Sequence, residues 1–120
     1  MQARILLVDD DRLLREVIGE SLQLNGYTVD SAEDADAALK LFRPGIYSLA
    51  LIDLVMPGMN GLELMQKIME QDSEIFCLIM TGYPTIDSAY KAMVEGASDY
   101  IIKPFQLSEL TAAIKQKLAP

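Results

Sequence analysis

Short apolar runs alternate along the chain with stretches whose apolar residues recur at helical spacing. Arg4–Val8 reads as a buried strand that ends against Asp9. Leu14, Val17, Ile18 and Leu22 follow with helical spacing, and Asn25-Gly26 supplies the stop. Residues 27–30 read as a short second strand. Ala35, Ala38, Leu39 and Phe42 mark a second helix that Pro44-Gly45 ends. Residues 47–52 form the third strand, ending at Asp53. After the turn-rich Met56-Pro57-Gly58-Met59-Asn60-Gly61, Asn60 and Glu63 make a capping box for a third helix with Leu62, Met65, Ile68 and Met69 on its buried face. Residues 75–80 form the fourth strand, ending at Thr81-Gly82. Thr85 caps a fourth helix carrying Ile86, Ala89, Tyr90 and Met93, and Gly96 ends it. Residues 100–102 form the fifth strand, ending at Lys103-Pro104. Leu107, Leu110, Ile114 and Leu118 mark the last helix.

Strict strand–helix alternation predicts an α/β fold: a five-stranded parallel sheet with five helices on both faces. Right-handed crossovers leave few topologies. The expected organisation is one domain over residues 1–120, with no repeat, linker or room for a second domain. A hydrophobic fraction of 51% suffices for a core at this length. Cys77 is the only cysteine and sits in an apolar run, so it reads as a buried structural thiol. No early apolar run is long enough for a signal-peptide core or a membrane span, and a soluble cytoplasmic protein is expected.

Charge narrows the function. Eighteen acidic against 10 basic residues give a net charge of -8, which disfavours direct binding to nucleic acid or an anionic membrane. There is no histidine, so His-dependent triads, bases and metal sites are excluded and any metal must be held by oxygen. In doubly wound sheets, function collects at the carboxyl ends of the strands. Those ends carry Asp9 and Asp10, Asp53, Thr81 and Lys103. In the sheet order 2-1-3-4-5, strands one and three are neighbours and the three carboxylates meet. Two unit charges about 4 Å apart repel by roughly 4 kcal/mol at an effective dielectric near 20. One lysine offsets part of this, and a divalent cation with few oxygen ligands, Mg²⁺, suits the remainder. A carboxylate nucleophile beside a hydroxyl, an ammonium and a Mg²⁺ site points to phosphoryl transfer onto Asp53.

The whole chain resembles the receiver domain of two-component response regulators. The resemblance rests on Ile5-Leu6-Leu7-Val8-Asp9-Asp10-Asp11, Leu51-Ile52-Asp53-Leu54-Val55-Met56-Pro57-Gly58-Met59-Asn60-Gly61, Met80-Thr81-Gly82 and Gly96-Ala97-Ser98-Asp99-Tyr100-Ile101-Ile102-Lys103-Pro104-Phe105, in the family's order and spacing. It implies the flavodoxin-like, receiver-type sheet order 2-1-3-4-5, for which chemotaxis members of the family are a known example. It implies that Asp53 takes a phosphoryl group from a phosphohistidine on a sensor histidine kinase or phosphotransfer protein. Asp10, Asp53 and the Val55 backbone carbonyl would bind Mg²⁺, with Asp9 acting through water. Lys103 would pair with the phosphoryl group. Thr81 would reach toward it and carry Tyr100 inward, reshaping the face of the fourth helix, fifth strand and fifth helix. A cis peptide is implied at Lys103-Pro104. Thr85-Ile86-Asp87-Ser88-Ala89 and the 100–105 segment most resemble nitrogen-regulation-type receivers, which usually precede an ATPase and a DNA-binding domain and so serve transcription regulation. The output would be such a domain absent from this chain, or a separate effector; homodimerisation is left open.

An apolar Val55 and a bulky Tyr83 flank the expected path of an attacking water and are expected to lengthen the life of the phosphoryl group. Asp11 reads as a helix cap rather than a ligand, Met65, Met69 and Met93 as core or adaptable surface residues rather than a ligand box, and Lys115 and Lys117 as a solvated, dipole-favourable helix end rather than a nucleic-acid patch. Two other functions compete. One is a constitutive protein-binding receiver not controlled by phosphorylation. The other is an aspartate-nucleophile phosphatase, against which Val55 stands where that class carries a second aspartate. The expected chemistry is self-phosphorylation and autodephosphorylation only, with no turnover on a separate substrate. No Gly-rich nucleotide fingerprint follows the first strand.

Overall fold

The computed structural model describes residues 3–119; Met1, Gln2 and Pro120, the ends of the expected domain, lie outside the described residues. Ten elements alternate along the chain: β1 (Arg4–Val8), α1 (Arg12–Leu24), β2 (Thr28–Ala32), α2 (Ala35–Leu41), β3 (Leu49–Asp53), α3 (Gly61–Gln71), β4 (Phe76–Thr81), α4 (Ile86–Val94), β5 (Asp99–Ile102) and α5 (Leu107–Leu118). All strand pairs are parallel and the order is β2-β1-β3-β4-β5. The register pairs Val8 with both Ala32 and Ile52, Asp53 with Met80, and Thr81 with Ile102. These pairings bring Asp9, Asp53, Thr81 and Lys103 to one edge of the sheet.

The inner strands are apolar throughout because both faces are covered. Leu6, Val8, Ala50, Ile52, Cys77 and Ile79 face one layer with Ala38 of α2, Leu64, Met65 and Ile68 of α3, and Ala92 of α4. Ile5, Leu7, Leu49, Leu51, Leu78 and Met80 face the other, with Ile18 and Leu22 of α1 and Leu110 and Ile114 of α5. Cys77 is buried and free, as expected, and burial pushes its thiol up to about 12. Among the described residues, no helix is long and apolar enough to cross a membrane.

Side-chain caps start four of the helices. Asp11 accepts from Leu14 N–H, Asp34 from Ala37 N–H, Asn60 from Glu63 N–H and Thr85 from Ser88 N–H. The Asn60–Glu63 capping box forms as the spacing predicts. Lys115 and Lys117 lie in the last turn of α5.

Several details differ from the sequence reading. β2 runs from Thr28 to Ala32 rather than over 27–30, because pairing with β1 fixes its length even where its residues are polar. β3, β4 and β5 are offset from the expected 47–52, 75–80 and 100–102 by one or two residues at their ends. α2 stops at Leu41; Phe42 is its C-cap and stacks on Tyr47 at 5.9 Å, while Arg43 donates to the Lys40 and Phe42 carbonyls. On α3, Leu64 is buried while Leu62 and Met69 are only partly so. Val17 of α1 is exposed. α4 carries Ile86, Tyr90 and Met93 as read, but on its outer side: Ile86 is 90% and Tyr90 69% exposed, and Met93 also faces solvent. The helix seats itself through alanines: Ala92 is buried and Ala89 half-buried. Helical period alone does not distinguish a stripe that faces the sheet from one that faces water.

Candidate functional site

The loops after β1, β3, β4 and β5 enclose an open cleft of about 740 Å³, lined by Asp9, Asp10, Asp53, Lys103 and, on its apolar side, Leu14, Val55, Tyr83 and Phe105. Asp9 is fully buried, Asp53 nearly so, and Asp10 exposed. Each offers a carboxylate oxygen, and these oxygens lie within 4.8 Å of one another. Asp11 and Pro104 also line the cleft, and the Lys103-Pro104 peptide is cis.

Asp9 is held on every side. Its Oδ1 accepts the Asp11 N–H at 2.9 Å, its Oδ2 accepts Lys103 Nζ at 2.7 Å, and its backbone carbonyl accepts Arg15 Nη1 at 2.7 Å. Lys103 Nζ also lies 3.3 Å from Asp53 Oδ1. One ammonium therefore bridges the two buried carboxylates. Burial pulls the lysine down, but the hydrogen bond to Asp9 and the charges of Asp53 and Asp9 outweigh it and hold Lys103 above its ordinary value. Asp53 is pushed up to about 6, first by burial and then by the charge of Asp9, against the opposing pull of Lys103. At neutral pH this leaves it mostly ionised, the form in which a carboxylate can act as a nucleophile.

Asp53 closes β3, and its position depends on backbone packing. Leu54 N–H donates to the Met80 carbonyl and Gly61 N–H to the Leu54 carbonyl, so β4 and the start of α3 clamp the residues after the carboxylate. Thr81 ends β4 fully buried, its hydroxyl accepting Tyr83 N–H at 3.0 Å. Tyr100 is half-buried on β5, and its phenol lies 2.7 Å from Ser88 Oγ on α4.

The predicted residues thus fall into two groups. Asp9, Asp10, Asp53, Lys103, Val55 and Tyr83 line the cleft, whereas Thr81, buried at the end of β4, and Tyr100, on β5 against Ser88 of α4, are not part of its lining. Asp11 caps α1 as expected and also borders the cleft. The sequence reading missed Arg15, whose role depends on the reach of a long side chain back to Asp9, and Ser88, which looks like an ordinary helix-start serine until β5 is placed beside it.

This fold and strand-edge constellation define a doubly wound parallel α/β domain with an acidic cleft at the carboxyl edge of its sheet. Residues 5–115 match the family described as the response regulator receiver domain, and the chain belongs to that family of two-component signalling domains. It is 40% identical over 110 residues to the response regulator protein FleR of Pseudomonas aeruginosa, covering 92% of this chain and 23% of FleR. It is 36% identical over 118 residues to the response regulator MprA of Mycobacterium ulcerans, covering 98% of this chain and 51% of MprA. The chain thus spans about half or less of the length of these relatives. Among solved structures it is similar to a CheY-like receiver domain protein of Methanospirillum hungatei, with TM-score 0.94, 32% identity, and coverage of 98% of this chain and 94% of that one. It is also similar to TrrA of Thermotoga maritima, solved in complex with Mg²⁺-BeF, with TM-score 0.87, 36% identity, and coverage of 98% of this chain and 100% of that one.

Proposed function

We propose that this domain, occupying residues 1–120, is a phosphorylation-controlled switch in which Asp53 is the acceptor. A phosphohistidine on a sensor histidine kinase or phosphotransfer protein presents its phosphoryl group at the cleft. An Asp53 carboxylate oxygen forms the new O–P bond as the N–P bond breaks, and the imidazole leaves and takes up a proton. Lys103, already bridging Asp9 and Asp53, follows the charge onto the phosphoryl oxygens. Thr81 exchanges its bond to Tyr83 N–H for one to the phosphoryl group, and Tyr100 moves with it, reshaping the α4–β5–α5 face for an output domain or separate effector. We place this in the cytoplasm, with an ATPase and DNA-binding output as the favoured arrangement.

The observation that carries this reading is the cluster itself: three carboxylates within 4.8 Å, two of them buried, set against one ammonium at the foot of a cleft. The donor set is all oxygen and fits Mg²⁺. Asp10, Asp53 and the Val55 carbonyl would hold the ion, with Asp9 reached through water. Bound there, it would offset the charge of the carboxylates and the phosphoryl oxygens. The Mg²⁺-BeF complex of TrrA supports the assignment by analogy. Val55, half exposed on the cleft, offers no acid or base to turn over a separate substrate, so the chemistry is confined to phosphorylation and later hydrolysis of Asp53. Val55 and Tyr83 border the water's approach and lengthen the acyl phosphate's life; Val55→Asn and Tyr83→Ala shorten it.

The test is incubation with acetyl phosphate and Mg²⁺, followed by intact-mass spectrometry. One phosphoryl addition is expected in the wild type and none in Asp53→Asn. Undiminished labelling of Asp53→Asn rejects the assignment.

A further inference from the structure

Ser88 is the third residue of α4, and its hydroxyl serves two parts of the fold. It accepts the Thr85 N–H at 3.3 Å and donates to the Thr85 carbonyl at 3.2 Å, while Ser88 N–H donates to Thr85 Oγ1 at 2.9 Å. The same oxygen lies 2.7 Å from Tyr100 Oη. A serine hydroxyl has one hydrogen and two lone pairs. With the hydrogen on the Thr85 carbonyl and one lone pair on Thr85 N–H, all contacts are satisfied together only if the Tyr100 phenol donates to the second lone pair. One atom therefore completes the start of α4 and holds the ring of β5.

Apart from its cap, the first half of α4 rests on half-buried Ala89. Ile86 and Tyr90 face solvent, and the fully buried Ala92 lies in the second half. A side-chain bond from its first turn to β5 therefore carries much of the information about where the helix start sits relative to Tyr100. We propose that Ser88 is a positioning residue acting as a latch: through Tyr100 it holds the unphosphorylated arrangement of α4 and β5, and its release sets how readily the Asp53 site takes up a phosphoryl group. This rests on the reading of Asp53 as acceptor and Tyr100 as its responder. Movement of the phenol toward Thr81 gives up the Ser88 bond, so the latch lowers the fraction of molecules competent to bind.

The experiment is a double-mutant cycle read by NMR titration of the full chain with beryllofluoride and Mg²⁺. A hydrogen bond's net contribution corresponds to an affinity change of about fivefold. Ser88→Ala should bind beryllofluoride about fivefold more tightly than wild type, and Ser88→Thr should restore the wild-type value. Tyr100→Phe, which leaves the Thr85–Ser88 box intact, should tighten binding to the same extent, and adding Ser88→Ala to it should change nothing more. Without ligand, the Tyr100 amide of Ser88→Ala should already shift toward its position in the beryllofluoride-bound wild type. Unchanged affinity in Ser88→Ala, or a Ser88→Ala effect that persists in the Tyr100→Phe background, overturns the latch alone. A wild type that ignores beryllofluoride, or an Asp53→Asn variant that responds normally, overturns the reading of the site and the latch with it.

Discussion

Gly61→Ala and Gly19→Ala make the same chemical change and should have opposite effects. Gly61 opens α3 directly beneath the end of β3. A Cβ there overlaps the Asp53 carbonyl oxygen and lies 2.8 Å from Leu54 Cα and 3.0 Å from the Asp53 carbonyl carbon. All three are backbone atoms, so no rotamer change relieves the overlap, and the Gly61 N–H bond to the Leu54 carbonyl ties the two segments together. Either α3 or the end of β3 must move. Overpacking of this kind costs about 1–3 kcal/mol, and backbone-only contact places Gly61→Ala near the top of that range, about 2–3 kcal/mol. Gly19 lies in the middle of α1, where an added Cβ meets nothing within 4 Å. There the substitution should stabilise by about 0.5–1 kcal/mol through helix propensity. For a domain of this size each kcal/mol shifts the melting temperature by about 4 °C. Gly61→Ala should therefore melt about 8–12 °C below wild type and Gly19→Ala about 2–4 °C above it. Urea denaturation followed by circular dichroism, with equal m-values, checks both. Because the atoms displaced by Gly61→Ala belong to Asp53 and its neighbour, its acetyl phosphate labelling should also slow, while Gly19→Ala labels as wild type does. A Gly61→Ala midpoint equal to wild type would show that this end of β3 is not tightly clamped, and the argument for how Asp53 is positioned would fall with it.

Two further predictions concern charge and capping. Asp53 is pushed up to about 6 from the ordinary carboxylate value of 3.8. Between these values the native state binds a proton that the unfolded state has released, so Asp53 makes stability fall as pH rises through that window and leaves it lowered above about 6. Asp53→Asn removes this loss: in urea titrations without Mg²⁺, its advantage over wild type should grow from pH 4 to pH 6 and then level off, and a pH-independent difference would contradict the assignment. Asn60→Ala deletes one half of the α3 capping box and should cost about 1 kcal/mol, read as a melting temperature about 4 °C lower; no change would mean the box is replaced by water without loss.

The sheet was legible because its inner strands are apolar on both faces, and short all-apolar runs between helical periods leave little choice of architecture. The site was legible because a parallel sheet gathers strand ends, so Asp9, Asp53, Thr81 and Lys103 could be grouped before any contact was known. What escaped was set by neighbours rather than by local pattern. The length of β2 depends on β1, and the seating of α4 on alanines inverts the stripe of large residues that its period suggests. Arg15 and Ser88 act through contacts to Asp9 and Tyr100 that no spacing rule encodes.

The charge balance of the site explains why the same cluster that burdens the fold suits a switch. Three carboxylates against Lys103 leave two net negative charges in and beside a largely buried edge. In the proposed reading, transfer onto Asp53 would convert its own charge into an acyl phosphate, a mixed anhydride, and add about two negative charges on the phosphoryl oxygens. The cluster then carries about three. The demand for a divalent cation would therefore rise on phosphorylation rather than disappear. By linkage, a cation held by Asp10 and Asp53, as proposed, would favour the phosphorylated state to the same extent that phosphorylation favours the cation. Lys103 cannot meet this demand alone. Its ammonium is shared between Asp9 and Asp53 before transfer, and any shift toward the phosphoryl group leaves buried Asp9 to the Asp11 N–H, its remaining side-chain donor among the described contacts. The cost of uncovering Asp9 would oppose phosphorylation and the gain at the phosphoryl oxygens would favour it, so the balance of the proposed switch is the difference between these two effects.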